Sequence, residues 1–82
     1  MVYTIYVKSY CPHSQAAVKS AKATREKCSV VNIDEYSILR VVDKLKTFKF
    51  MKKSIIHNTV PIVFYNSKYI GGNNELQQKL SR

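Results

Sequence analysis

Residues 2–14 read VYTIYVKSYCPHS, and this stretch predicts a strand, a short turn and the start of a helix. Residues 2–7 alternate in character and are rich in β-branched and aromatic side chains, which is typical of a strand. Pro12 favours the first position of a helix, because the amide hydrogen that proline lacks would have no partner there. We therefore expect a strand over residues 2–7 and a helix from Pro12 to about residue 26.

The middle of the chain predicts a second strand and a second helix. Residues 28–33, CSVVNI, form a short apolar run that indicates a strand. From Tyr36 to about Met51, apolar residues recur at spacings of three and four with charged residues between them. That spacing predicts an amphipathic helix with one buried face.

The last third of the chain predicts a hairpin and a closing helix. Residues 61–65, PIVFY, and residues 68–70 indicate two strands that turn at residues 66–67. Two glycines then break the second strand. Residues 73–80 predict a helix, with Asn73 as the expected N-cap.

The order of these elements predicts the fold. A strand–helix–strand start implies a parallel pair, and the hairpin adds antiparallel strands. We expect an α/β protein with a thioredoxin-like, four-stranded mixed sheet of strand order 2-1-3-4, flanked by three helices. Residues 1–82 leave room for one domain and no linker.

Composition excludes several classes of protein. Hydrophobic residues make up 45% of the chain, which is enough for a core and argues against disorder. Two cysteines are too few for a disulfide-bonded scaffold and cannot by themselves form a four-ligand zinc site, and His13 and His57 are not at metal-motif spacings. No apolar stretch reaches the roughly 18–20 residues that cross a bilayer, and the start lacks a signal-peptide pattern. We expect a cytoplasmic protein with free thiols and no membrane partner.

The net charge of +9 favours anionic partners, whether small molecules, acidic protein surfaces or nucleic acid. A second interpretation is that lysine-rich helix faces only keep the chain soluble. Charge by itself does not choose between them.

Cys11 is the candidate nucleophile. It stands directly before Pro12, at the expected N-terminus of the first helix, where the helix dipole and free amides stabilise an anion and lower a cysteine pKa. Lys8, three residues earlier, would add a positive charge beside the sulfur. The alternative is a small core cysteine without reactivity.

Three separated motifs resemble those of glutaredoxins. The segment YVKSYCPHS resembles their active-site pattern K-x-Y-C-P-x-C, residues 59–61 resemble their TVP motif, and IGGNNEL resembles their GG-x-D-D-L motif. The motifs occur in the family's order and spacing, and with the predicted elements the resemblance covers roughly residues 2–80. It implies a glutathione-dependent thiol–disulfide oxidoreductase.

The resemblance also implies roles for individual residues. Cys11 would attack the mixed disulfide, with Lys8 and Tyr10 as further catalytic residues beside it. Val60 would present its backbone to glutathione, since the family's proline, here Pro61, follows a cis peptide bond. The residues implied to bind glutathione are Lys8, Tyr10, Cys11, Thr59, Val60, Pro61, Gly71, Gly72, Asn73 and Asn74.

Two departures from the family pattern alter the expected chemistry. Ser14 stands where dithiol members carry a resolving cysteine, so Cys11 should work by a monothiol route. Asn73 and Asn74 stand where acidic residues are usual. Because charge-assisted hydrogen bonds are worth roughly 1.5–3 kcal/mol against about 1 for neutral ones, we expect weaker glutathione binding unless Asn74 or Glu75 compensates.

The implied partners follow from the same resemblance. Glutathione would be a co-substrate and no cofactor or metal would be tightly bound. The substrates would be glutathionylated proteins or low-molecular-weight disulfides, and glutathione reductase would take part indirectly. We expect a monomer without a nucleic-acid partner.

Alternative functions stay open at this point. Monothiol members of the family can carry a [2Fe–2S] cluster between two protomers with two glutathiones, although Pro12 argues against this. A binding module for nucleic acid or an acidic partner could use the lysine-rich stripe over residues 44–53. We expect Cys28 to be buried and inert, with a resolving thiol as the alternative. Arg40 and His57 are expected on a basic surface beside the groove.

Overall fold

The computed structural model describes residues 2–81 as a four-stranded sheet with helices on both faces. The strand order is β2-β1-β3-β4, in which β1 is parallel to β2, and β3 is antiparallel to both β1 and β4. This confirms the predicted thioredoxin-like fold and strand order; residues 1 and 82, the predicted domain limits, lie outside the described residues. In chain order the elements are β1 Val2–Val7, α1 Pro12–Ala23, β2 Lys27–Asn32, α2 Ile38–Thr47, β3 Ile62–Tyr65, β4 Lys68–Gly71 and α3 Asn73–Leu80.

One face of the sheet packs closely against α1 and α3. Successive side chains of a strand point to opposite faces, so the odd-numbered residues of β1 share this face. The small residues Ala17 and Ala21 on α1 let that helix approach the strands. The buried cluster on this face comprises Tyr3, Ile5, Val7, Ala17, Ala21, Val63 and Leu76.

The helix α2 covers the opposite face from a greater distance. Within residues 2–81, no Cα atom of α2 lies within 8 Å of a Cα atom of any strand, whereas α1 and α3 both come that close. Large side chains, among them Tyr6, Leu45 and Phe64, pack between α2 and the sheet. This layer is therefore thicker than the one on the other face.

The first helix ends earlier than predicted, at Ala23 rather than near residue 26. The Thr24 hydroxyl donates a hydrogen bond to the Ala21 carbonyl, and Arg25 adopts a positive φ of 65°, a conformation that no helix continues through. None of the helices between residues 2 and 81 is long and apolar enough to cross a membrane.

The second helix is shorter than predicted at both ends. Ser37 caps it, since its hydroxyl oxygen accepts the Arg40 amide at 3.1 Å, so the helix begins at Ile38 instead of Tyr36. It ends at Thr47, and Lys49 then adopts a φ of 63°. The strand β2 also begins one residue before its predicted start, at Lys27.

The hairpin turns at Asn66 and Ser67, as predicted. Both residues have positive φ, 51° and 70°, the requirement of the two-residue turn that matches strand twist. The closing helix begins at Asn73, but its N-cap is Gly72, so the prediction of Asn73 as the N-cap was wrong. Glu75 supplies the capping contact, because its carboxylate accepts the Gly72 amide at 2.9 Å.

Candidate active site

Three chain segments meet at one end of the sheet, where strands begin and end. Cys11 follows the carboxyl end of β1, and Val60 precedes the amino end of β3, which runs antiparallel beside β1. The start of α3 lies at the same end of the sheet, directly after β4. The Cys11 thiol donates to the Val60 carbonyl across an Sγ to oxygen distance of 3.7 Å.

A groove of about 280 Å³ lies beside this contact. It unites the predicted binding residues of the loop before β3 with those at the start of α3. It also includes His13 and Glu75, which the motifs do not single out as binding residues. The lining residues are His13, Thr59, Val60, Pro61, Gly72, Asn73, Asn74 and Glu75.

Cys11 occupies the N-cap of α1, with Pro12 at the first helical position as predicted. Partial burial opposes ionisation of the thiol. The ionised sulfur would accept hydrogen bonds from the Ser14 hydroxyl and from the amides of Ser14 and His13, and these outweigh the burial, so the pKa of Cys11 lies below its ordinary value. The free amides of a helix N-terminus therefore favour the thiolate here, in agreement with the sequence analysis.

Ser14 is almost fully buried, at 1% exposure, one helical turn after Cys11. With the thiol donating to the Val60 carbonyl, the Ser14 hydroxyl has no hydrogen-bond partner within residues 2–81. Leaving a buried hydroxyl unpaired costs about 1–3 kcal/mol. A thiolate accepts hydrogen bonds only, so ionisation of Cys11 provides this hydroxyl with an acceptor. Ser14 thus favours the reactive form of the sulfur.

Lys8 and Tyr10 lie outside the lining of the groove. The Lys8 ammonium is buried and donates to the Tyr36 carbonyl at 2.8 Å, and it lies 5.9 Å from the centre of the Tyr10 ring. The Tyr10 side chain is 73% exposed. Lys8 therefore ties the turn after β1 to the segment before α2, while the catalytic and glutathione-binding roles of both residues stay predictions.

Asp34 holds the turn that precedes Cys11, a role that the sequence analysis missed. Its carboxylate accepts the Ser9 hydroxyl at 2.6 Å and the Ser9 amide at 2.8 Å. The Ser9 hydroxyl is the main reason that the pKa of Asp34 is lowered, with the Ser9 amide next. In the sequence, the only indication of this role is that an aspartate directly follows a predicted strand.

His57 holds the loop on the other side of the sulfur. Its Nε2 lies 3.2 Å from the Pro61 carbonyl, which can only accept, so Nε2 donates and Nδ1 accepts the Tyr69 hydroxyl. The peptide bond between Val60 and Pro61 is cis, as the resemblance implied. The expectation of His57 on a basic surface was wrong, because the side chain is buried with both nitrogens bonded.

The two glycines before α3 have different tasks. Gly71 is buried with a φ of 134°, and a Cβ atom there would lie 2.6 Å from Oε1 of Glu75. Gly71 is absent from the groove lining and instead lets the chain pass over the Glu75 side chain. Gly72 lines the groove, and its amide donates to Glu75, as described above.

The two cysteines lie at opposite ends of the sheet. Cys28 is paired with Tyr3 near the start of β1, whereas Cys11 follows its end at Val7. Four residues of strand span about 13 Å, and a disulfide requires Cα atoms within roughly 7 Å. Cys28 packs against the core, and its thiol donates to the Glu26 carbonyl. It cannot resolve a disulfide at Cys11 within this fold.

Metal-ligating side chains are scattered through the part of the chain that the structure describes. No group of three or more His, Cys, Asp or Glu side chains there could hold a metal ion. His13 is exposed at the start of α1, whereas His57 uses both ring nitrogens for hydrogen bonds.

A thioredoxin-like sheet that presents a cysteine of lowered pKa at a helix N-terminus defines the class of thiol–disulfide oxidoreductases. The glutaredoxin family model matches residues 3–70, more than half of the chain, and the chain belongs to the glutaredoxin family. Membership of the family implies thiol–disulfide oxidoreductase activity.

Solved glutaredoxin structures resemble this fold throughout. The holo form of glutaredoxin C1 from Populus tremula x tremuloides is 25% identical, with a TM-score of 0.74 over 98% of this chain and 68% of that chain. Glutaredoxin 1 from Francisella tularensis, in complex with cacodylate, is 23% identical, with a TM-score of 0.72 over 98% and 92%. Reduced glutaredoxin from Escherichia coli is 21% identical, with a TM-score of 0.67 over 99% and 94%. No curated protein matched the chain.

Proposed function

We propose that this protein removes glutathione from mixed disulfides by a monothiol route through Cys11, with glutathione as its co-substrate. The observation that carries the proposal is the environment of Cys11. Its sulfur has a lowered pKa at the N-terminus of α1, faces the backbone of Val60, and has Ser14 where a resolving thiol would stand. Such a sulfur is a nucleophile without an internal partner.

The chemistry takes two exchange steps. In the first, the Cys11 thiolate attacks the glutathione sulfur of the substrate, a new disulfide forms to Cys11, and the substrate sulfur leaves with the electron pair and takes a proton from solvent. In the second, the thiolate of another glutathione attacks the glutathione sulfur bound to Cys11. Oxidised glutathione leaves and the Cys11 thiolate returns. The substrate is reduced and two glutathione molecules end as one disulfide.

The groove supports binding of the tripeptide along its backbone. Val60 would offer main-chain groups to the ligand in the manner of an added strand. The amides at the start of α3 would receive the α-carboxylate of the γ-glutamyl group. Glu75 would pair with the adjacent ammonium, because the Gly72 amide is bonded to Oε1 and the second carboxylate oxygen is left for the ligand. Glu75 would thus compensate for Asn73 and Asn74.

The partners and setting follow from this chemistry. The reaction needs reduced glutathione, which glutathione reductase regenerates from the disulfide product. We therefore propose that the protein works as a monomer in the cytoplasm, where such a pool keeps thiols reduced.

The test is glutathione-dependent reduction of a glutathionylated peptide, coupled to NADPH oxidation through glutathione reductase. We expect turnover in the wild type and in Cys28→Ser, and none in Cys11→Ser. Cys28→Ser is the matched control, because it makes the same substitution at a thiol that lies at the other end of the sheet.

Three outcomes would contradict the proposal. The absence of turnover above background in the wild type would remove the enzymatic function. A brown protein from anaerobic purification, with iron and sulfide that depend on Cys11, would instead support the glutathione-ligated [2Fe–2S] carrier. Loss of turnover in Cys28→Ser would exclude the monothiol route.

A further inference from the structure

The space under α2 opens to the surface as an apolar groove that the proposed chemistry does not use. Its volume is about 300 Å³, and its floor is formed by Tyr6, Val41 and Leu45. A second cavity of about 150 Å³ shares Tyr6, Leu45 and Phe50 with it. Both arise because α2 stands farther from the sheet than the other helices and its side chains do not fill the gap.

Two aromatic side chains border this groove and remain exposed. Phe48 is 67% exposed and Phe50 is 51% exposed, and both follow the end of α2. Tyr36 also lines the groove and is 53% exposed. Large apolar side chains exposed together at the rim of a concave surface mark an interaction site rather than a solvated face.

The groove carries positive charge. Arg40 and Lys44 line it, and none of the described lining residues is acidic. The segment that contains Phe48 and Phe50 adds Lys46 and Lys49. An occupant of complementary charge is therefore anionic.

The groove has lining residues at the same end of the sheet as Cys11. Ile33, which lines it, donates its amide to the Val7 carbonyl at the end of β1, the strand that leads to Cys11. Tyr36, another lining residue, accepts the Lys8 ammonium at its carbonyl. These contacts place part of the groove lining next to the turn that leads to Cys11.

We propose that this groove binds an acidic segment of a protein substrate through one large apolar side chain. The inference rests on the proposed function, since it names the class of protein whose glutathionylated cysteine is brought to Cys11. The apolar side chain enters the groove beside Phe48 and Phe50, and the acidic residues next to it meet Arg40 and Lys44.

Other occupants fit the groove less well. Two copies of this chain would each bring a net charge of +9 to the contact. Nucleic acid binds through aromatic rings on which bases stack. The rings of Phe48 and Phe50 are tilted by 46° with centres 6.5 Å apart, so they border a pocket and do not form a flat platform.

The first experiment measures binding without redox chemistry. A fluorescein-labelled peptide, Gly-Glu-Asp-Phe-Glu-Asp-Gly, is titrated with Cys11→Ser protein and followed by fluorescence anisotropy at low and high salt. We expect saturable binding that salt weakens. The double change Phe48→Ser and Phe50→Ser should weaken it about tenfold, the loss expected for one buried aromatic contact. Ile56→Ser, at a side chain that is 92% exposed outside the groove, is the matched control.

Charge is tested with a second pair of variants that change the net charge equally. Lys44→Glu should weaken binding of the peptide more than Lys27→Glu, because Lys27 begins β2 at the far end of the sheet. Equal effects of the two variants, or no loss in the Phe48→Ser and Phe50→Ser protein, would overturn the proposal. Tighter binding of oligothymidylate with the same dependence on the two phenylalanines, or a dimer that they maintain, would also overturn it.

The second experiment connects binding to turnover. A glutathionylated peptide that carries the acidic segment on a flexible linker is compared with the mixed disulfide of glutathione and 2-mercaptoethanol. The Phe48→Ser and Phe50→Ser protein should lose about tenfold in kcat/KM for the peptide and keep its rate with the small disulfide. Equal kcat/KM for both proteins with the peptide contradicts the inference. If the wild type does not reduce the small disulfide, the proposed function is contradicted. The binding experiment does not require enzymatic turnover, so it still tests the groove by itself.

Discussion

The sulfur of Cys11 lies 3.7 Å from the carbonyl oxygen of Val60, although 49 residues separate the two along the chain. The contact joins the N-terminus of α1 to the loop before β3. The contact places the nucleophile beside the backbone of Val60, which would bind a peptide ligand.

Ser14→Ala should make Cys11 less reactive at neutral pH. The Ser14 hydroxyl helps to lower the pKa of Cys11, so its removal should move the pKa upwards and reduce the thiolate fraction. We expect the alkylation rate at pH 7 to fall roughly two- to fivefold, because a less acidic thiol is also a stronger nucleophile and partly compensates. Iodoacetamide alkylation as a function of pH measures this.

The alkylation experiment has two controls. Ser14→Thr keeps a hydroxyl and should retain the low midpoint, and Ser29→Ala, at an exposed position of β2, should leave it unchanged. An unchanged midpoint in Ser14→Ala would show that the hydroxyl does not bond to the sulfur.

Asp34→Asn should destabilise the protein at neutral pH and not in acid. The folded protein lowers the pKa of Asp34, mainly through the Ser9 hydroxyl, so ionised Asp34 contributes stability above its unfolded pKa of about 3.9. That contribution disappears as the pH falls through the lower folded value. The free energy of unfolding in urea should therefore differ between wild type and variant at pH 7 and converge in acid. The same difference at both pH values would contradict this, and Asp43→Asn is the control for loss of an exposed aspartate.

Gly71→Ala should lower the free energy of unfolding by about 1–3 kcal/mol. The residue has a φ of 134°, and the new Cβ atom would lie 2.6 Å from Glu75. Gly72→Ala is the matched comparison, since Gly72 has a φ of −99° and its nearest neighbour to a Cβ atom would be 3.6 Å away. Chemical denaturation should rank Gly71→Ala as the less stable variant, and the reverse ranking would refute the assignment.

His57→Phe should impair substrate binding by releasing the loop at Pro61. The change leaves the Pro61 carbonyl without its donor, at a cost of about 1–3 kcal/mol. We expect KM for the glutathionylated peptide to rise severalfold with a smaller change in kcat. Tyr69→Phe keeps the bond between His57 and Pro61 and should have a weaker effect. A lower Tm with an unchanged KM would show that His57 serves stability alone.

Local sequence signals predicted the structure correctly where one or two residues determine the backbone conformation. Pro12 begins α1 as expected, and residues 66–67 form the predicted turn. Periodicity was less reliable at helix ends. Phe48 continues the apolar spacing of α2, yet the helix ends at Thr47 and the Phe48 ring is exposed. A repeat of three and four residues does not distinguish a buried face from an exposed apolar rim.

Patterns along the chain were enough to predict the order of the elements, the position of Cys11 at a helix N-terminus and the absence of a resolving cysteine at residue 14. These depend on neighbours within a few residues, where strand alternation, proline and helix amides act. Three features became visible in the fold alone: Val60 contacts the sulfur, His57 is buried against Pro61, and α2 leaves a groove above the sheet. Those contacts join residues far apart in the chain, and they depend on how side chains of different size fill the space between packed elements.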